Sequence, residues 1–303
     1  MLTHTQYRNE GATMFRKSLG ILISVAFAIS LAAATDNPVP QAQLSAAEIV
    51  NKNVVARGGL QAWRAVQTMS MSGSMGVGGN QRTTLPLSIP GGHKLAPGFV
   101  PPRPAQEVEL PFVMDLARPR KMRVEVQFNG QTAIQVFDGA NGWKLRPFLN
   151  RRVVEPYTTD EMKMAAMQAD LDGPLVDYAA KGTQIELAGV EKVEDRDTYK
   201  LKLTMKNGRA IHVWIDAQTF LEAKMEGQPR QLDGTAHPVE VYLRDYRPVK
   251  GLQIPYVLET KVLQVAKTAL GFKDPPVPPE KMSITKVEVN PKLDESLFSK
   301  PKI

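Results

Sequence analysis

The chain has no cysteine among its 303 residues. That excludes disulfides, thiolate metal sites and an acylated lipobox cysteine, so the fold stands on its core alone. Histidine is scarce: His4, His93, His212 and His237, none paired with another at metal-ligand spacing. HExxH, G-x-S-x-G, GxxxxGK[ST] and a GxGxxG after a strand are absent. Carboxylates that fall close together, Asp170 with Asp172 and Glu191 with Glu194 and Asp195, sit at expected turns and read as solvated loop residues. Only Leu19–Leu31 approaches the length and apolarity of a membrane-spanning run. Neither sign of charge dominates. The net charge is +7 and the pI about 9.4, a mild excess that reads as a solvated basic surface, not a nucleic-acid patch. The expectation is no catalytic residue, no metal and no cofactor.

The N-terminus carries a positive Arg16-Lys17, the apolar run and the small residues Ala32-Ala33-Ala34. This is the order of an export signal. Residues 1–34 are expected to be that signal, with Met14 as an alternative start. Residues 35–303 are expected to form one domain, with a Gly/Pro-rich insertion at 76–105 that includes a short strand at Thr83–Ile89.

Two helices have complete start signals. Ser45 with Glu48, and Thr158 with Glu161, make capping boxes. Trp63 reads as a core anchor that ties a helix to a sheet. The rest alternates with period two, the mark of strands with one apolar face. Met69, Met71, Gly73 and Met75 face one way, as do Val108, Leu110, Phe112 and Met114. The clearest hairpin is Lys121–Phe137. A three-residue loop, Phe128-Asn129-Gly130, would pair Val126 with Thr132, Val124 with Ile134 and Met122 with Val136, with Gly130 at φ > 0. A further strand runs from Trp143 past Pro147 to Val154. Thr158–Asp170 interrupts the β pattern with three methionines, which suits a lid with an adaptable apolar face. About eleven short strands, close-set by turns, suggest a sandwich or barrel.

The order of certain turn and core residues resembles a family. The residues are Arg57-Gly58-Gly59-Leu60, Arg118-Pro119, Phe137-Asp138-Gly139 with Gly142-Trp143, and Gly173-Pro174-Leu175. They continue with Ile215-Asp216, Asp245-Tyr246-Arg247, Ile254-Pro255 and Asn290 with Leu297-Phe298. Together they resemble the outer-membrane lipoprotein-sorting proteins of the LolA/LolB-like superfamily, in a larger and divergent form. The resemblance implies a mainly β (α+β) fold, an open, strongly curved antiparallel half-barrel of about eleven strands with helices covering its concave face. It implies a periplasmic, monomeric carrier or binder of acyl chains of lipoproteins or lipids. Acylated lipoprotein or lipid, and inner- and outer-membrane sorting components, would be its partners. On this reading Met69, Met71, Val124, Val126, Ile134, Val136, Leu201 and Leu203 line the apolar cavity. Met162, Met164, Met167 and Leu171 belong to the lid. The alternatives are a periplasmic sensor or interaction module on the same fold, and a cryptic hydrolase whose residues assemble from distant positions.

Overall fold

Ser45 starts helix α1 (Ala46–Ala56). Its hydroxyl accepts from the Glu48 N–H, and the Glu48 carboxylate accepts from the Ser45 N–H. The reciprocal cap is the one expected from the sequence. Ile49, Val50 and Val54 form the buried stripe of α1. Gly58 ends it at φ +115, where a Cβ would lie 2.4 Å from the Gly251 carbonyl oxygen. Glycine alone lets this corner touch the sheet backbone. Helix α2 (Leu60–Ala65) follows. Trp63 is buried, and its Nε1 donates to the Arg57 carbonyl at 3.1 Å.

These helices belong to a computed structural model that describes residues 44–79, 106–147, 151–232, 234–268, 271 and 273–302. The expected export signal, Met14, residues 35–43, most of the 76–105 insertion with Thr83–Ile89, and His93 lie outside the described residues.

The strands of the first half are β1 (Thr68–Val77), β2 (Val108–Ala117), β3 (Lys121–Phe128), β4 (Gln131–Phe137), β5 (Gly142–Arg146) and β6 (Arg151–Pro156). Helix α3 (Thr159–Gln168) separates them from β7 (Gln184–Val193), β8 (Arg196–Thr204), β9 (Ala210–Asp216) and β10 (Glu222–Glu226). A two-stranded ribbon, β11 (Arg230–Leu232) with β12 (Thr235–His237), precedes β13 (Val239–Val249), β14 (Leu252–Val262) and β15 (Glu280–Val289).

Thirteen of these strands make one antiparallel sheet in the order β6-β5-β4-β3-β2-β1-β15-β14-β13-β10-β9-β8-β7. This corrects the expected architecture. The sheet is large and open, not a strongly curved half-barrel of about eleven strands. Its edge strands β6 and β7 do not pair with each other, so among the described residues no strand closes it. The edges are charged, with Arg152 and Glu155 on β6 and Glu186, Glu191 and Lys192 on β7. Pro156 removes a donor from β6, and such edges resist further pairing. The count rises because the chain reverses after Arg146, so that Val153-Val154 belongs to a separate strand, β6.

The β3–β4 register also differs from expectation. The loop has two residues, Asn129 at φ 49 and Gly130 at φ 71. Positive φ at both positions is the type I′ geometry that matches strand twist. Val126 therefore pairs with Ala133, Val124 with Gln135 and Met122 with Phe137. Gly130 has the expected φ, but the pairing shifts by one residue. Ile134 and Val136 consequently share a face with Glu125 and Arg123.

Two prolines split the sheet. The β2–β3 ladder stops at Phe112–Val126, beside Pro111, although both strands run on. The β14–β15 ladder stops at Val257, two residues past Pro255. A proline has no N–H to offer a ladder. Beyond Pro255 the Gln253 N–H turns to the Arg57 carbonyl at 3.0 Å, which seats the α1–α2 corner against β14.

Candidate functional site

Cross-strand pairing fixes which side chains meet on the face that carries the helices. One row reads Val289, Met69, Leu116, Met122 and Phe137 across β15, β1, β2, β3 and β4. All five are buried. The next row, Val287, Met71, Met114 and Val124, is half-buried throughout. So is the row Leu258, Met282, Met75 and Leu110. Between them Phe112 and Ile284 are buried beside half-buried Gly73 and Val126. Neighbours in such rows have Cβ atoms about 5 Å apart, so each half-buried row is a continuous apolar strip.

Methionine dominates this face. Eleven of the thirteen methionines follow residue 43, and nine of those join the main apolar cluster. Met69 and Met122 are buried in it, while Met71, Met75, Met114, Met162, Met205, Met225 and Met282 pack against it half-buried. Unbranched thioether side chains can reshape such a surface at small rotamer cost.

Helix α3 and segment 169–182 lie against the same cluster. Ala165, Ala169, Leu171, Leu175 and Val176 are buried in it, and Met162 packs on its side. At one end of α3, Glu161 pairs with Lys144 of β5 at 2.5 Å. At the other end the Met167 sulfur accepts from the Arg209 guanidinium at 2.8 Å. The segment itself is tied down through carboxylates. Asp172 accepts from Arg118 at 2.6 Å and from Lys181 at 2.5 Å, and Lys181 also holds Asp170 at 2.9 Å. Arg118 donates further to the Trp63 and Val66 carbonyls at the end of α2. Arg57 stacks over the Trp63 ring at 4.4 Å, donates to the Asp172 carbonyl and pairs with Glu222 at 3.3 Å.

Burial opposes ionisation of Asp172, but hydrogen bonds from Lys181 and Arg118 outweigh it and hold the carboxyl below its ordinary range. Burial wins at Asp170 and pushes its pKa up. The reading of these two as solvated turn residues is therefore corrected: Asp172 is buried and Asp170 half-buried. No local pattern announces this network, because Arg57, Arg118 and Lys181 come from three distant parts of the chain. Glu191, Glu194 and Asp195 are exposed, as read.

The sequence-derived residues divide as follows. Met71 and Val124 meet on one half-buried strip, with half-buried Val126 in the row beside Phe112 and Met69 in the adjoining buried row. Leu201 and Leu203 are fully buried in the same cluster. Ile134 and Val136 are on the opposite face. Val136 is buried there, near the C-terminal 3₁₀ turn (Glu295–Phe298), whose Leu297 carbonyl accepts from Arg123 at 3.0 Å. Of the residues expected in the lid, Leu171 is buried, Met162 and Met167 are half-buried, and Met164 is 37% exposed. Met114, Met75 and Met282, the closest partners of Met71 and of each other, stand on strands that sequence reading placed but could not pair.

The β2–β3 split leaves an open cleft of about 610 Å³, lined by Val108, Leu110, Pro111, Phe128, Asn129 and Thr132 among others. Among the described residues no group of three His, Cys, Asp or Glu could hold a metal ion. No helix among them is long and apolar enough to cross a membrane.

No family model matches the chain, and no curated protein matches it. Solved structures do. A domain named for outer membrane lipoprotein sorting, from Vibrio parahaemolyticus, is 11% identical with a TM-score of 0.48, over 84% of this chain and 95% of that one. A LolA superfamily protein from Nitrosomonas europaea is 13% identical with a TM-score of 0.49, over 85% and 98%. A DUF1329 family protein from Desulfovibrio piger is 12% identical with a TM-score of 0.47, over 84% and 97%. The chain is thus remotely similar, at low sequence identity, to structures named for lipoprotein sorting and the LolA superfamily.

Proposed function

We propose that the protein binds the apolar chain of a lipid or of an acylated lipoprotein against its methionine-rich face, under α3 and segment 169–182. The carrying observation is the pair of half-buried strips through Met71–Met114 and Met75–Met282. A filled core would bury them as it buries the Met69–Met122 row. Each CH₂ buried between the strips and their cover contributes about 0.8 kcal/mol, so holding an acyl chain needs no catalytic group. On this reading the protein is a periplasmic carrier or binder in outer-membrane lipoprotein sorting. It works without turnover, and Met162, Met164, Met167 and Leu171 belong to the cover.

Native mass spectrometry of protein purified from the periplasm tests the reading. The expected result is co-purified acyl species that are lost when Met164 and Met167 are both changed to Glu. Protein that emerges free of acyl species and takes up no added fatty acid would count against it. N-terminal sequencing of the exported form is expected to begin at Thr35.

A further inference from the structure

Every buried or half-buried Lys and Arg side chain among the described residues has a carboxylate within ion-pair distance, except one. Arg57, Arg118, Lys121, Arg123, Lys144 and Arg146 are paired in the first half of the chain. Lys181, Lys200, Lys202, Lys224, Arg230, Arg244 and Lys261 are paired in the second. The exception is Arg209, half-buried just before β9. Its guanidinium meets neutral acceptors only: the Met167 sulfur at 2.8 Å and the Gln228 amide, whose oxygen turned toward Arg209 accepts at 2.9 Å. The acidic charge that acts on it is Glu226, outside ion-pair distance and already serving the His212 N–H and ring at 2.9 Å. Burial disfavours the Arg209 charge and pulls its pKa below the ordinary arginine value.

The position matters as much as the missing partner. The Arg209 carbonyl accepts from Met205, a half-buried member of the apolar cluster, and Ile211 two residues on is in its core. Gln228 follows Met225, another member. Arg209 therefore stands at the rim of the apolar face, directly against the last turn of the covering helix. A cation is costly to hold in a half-dry site without an anion. A thioether and an amide are weak substitutes that a carboxylate or phosphate oxygen would displace.

We propose that Arg209, with Gln228 beside it, is the anchor for a singly charged anionic head, so that the ligand is an anionic amphiphile. The inference rests on the apolar-chain reading above and adds the polar end of the ligand. The guanidinium fork offers two parallel donors to a carboxylate or phosphate diester. The apolar tail then runs from Met205 and Met225 onto the face.

Displacement of a fluorescent fatty acid by decanoate, by decanol and by free acetate or inorganic phosphate, at pH 8, tests this. Decanoate is expected to bind about tenfold more tightly than decanol. Arg209→Gln should abolish that preference, decanoate affinity falling far more than decanol affinity, and Arg209→Lys should retain part of it. Acetate and phosphate alone should not compete, which separates a lipid head from a free anion. Equal affinity for the two amphiphiles in the parent protein overturns the proposal and leaves the apolar-chain reading intact. So does an Arg209→Gln variant that loses both equally or only melts lower, since Arg209 would then be a structural cation at the end of α3. Binding of neither amphiphile overturns both readings.

Discussion

Arg118 donates to Asp172 across 2.6 Å, which joins the turn before β3 to the segment covering the sheet. The same carboxylate takes Lys181 on its other oxygen, so one buried anion serves two cations. Asp172→Asn would leave both facing a neutral amide. Removing one partner of such a pair typically costs about 3–5 kcal/mol. Arg118 is partly exposed, so the expected loss is about 2–3 kcal/mol in urea unfolding. Hydrogen exchange should rise first in segment 169–182. Uniform protection in the variant would show that Asp172 does not hold the cover.

The pH dependence follows from signs. Asp172 is held low by Lys181 and Arg118 against its burial. At Asp216 burial likewise raises the pKa, but the Thr219 and Gln218 N–H groups and the Thr219 hydroxyl outweigh it. A depressed folded pKa gives stability that is complete above the unfolded value, about 3.9, and is lost as pH falls through the folded one. Asp170, raised by burial, runs the other way: its contribution is lost as pH rises through its folded pKa. Urea unfolding should therefore show stability falling below about pH 4, with a shallower fall for Asp172→Asn. At pH 7 Asp170→Asn should cost less than Asp172→Asn. A parent and variant with the same acid limb would contradict the assignment.

Gly58 touches backbone with no room to spare. Alanine there combines a positive φ with a Cβ 2.4 Å from the Gly251 oxygen. The expected cost is about 2–3 kcal/mol, read as a fall in melting temperature. An unchanged melt would mean that the α1–α2 corner stands off from β14.

The hairpin register has its own test. Cysteines placed at Glu125 and Ile134, which face each other across β3 and β4, should cross-link readily on oxidation. Cysteines at Val124 and Ile134 should not, because their side chains point to opposite faces. Cross-linking only of the second pair would restore the three-residue loop.

Much of the fold was legible in local chemistry. Both capping boxes, the position of Gly130 and the alternation of β1, β2, β3 and β8 follow from nearest-neighbour rules. The strand count did not, because the chain reverses after Arg146, and the β3–β4 pairing did not, because Asn129 joins Gly130 at positive φ and shortens the loop by one residue. That single residue moved Ile134 and Val136 off the proposed site. The openness of the sheet was not legible either, since alternation says which face is apolar but not whether two edges meet. The Arg57, Arg118, Asp172 and Lys181 network was invisible for a related reason: charge in a turn looks solvated until the fold buries it.

The central claim is that the Met71–Met114 strip receives an apolar chain. Titration of a fluorescent fatty acid into three proteins tests it most directly. They are the parent, the double variant Met71→Glu with Met114→Glu, and Val113→Glu, whose side chain is 37% exposed on the opposite face. The account predicts saturable uptake by the parent and by Val113→Glu, and a loss of about tenfold or more in the double variant, with all three folded by circular dichroism. A folded double variant that binds as tightly as the parent, or a parent that shows no saturable uptake, would contradict it.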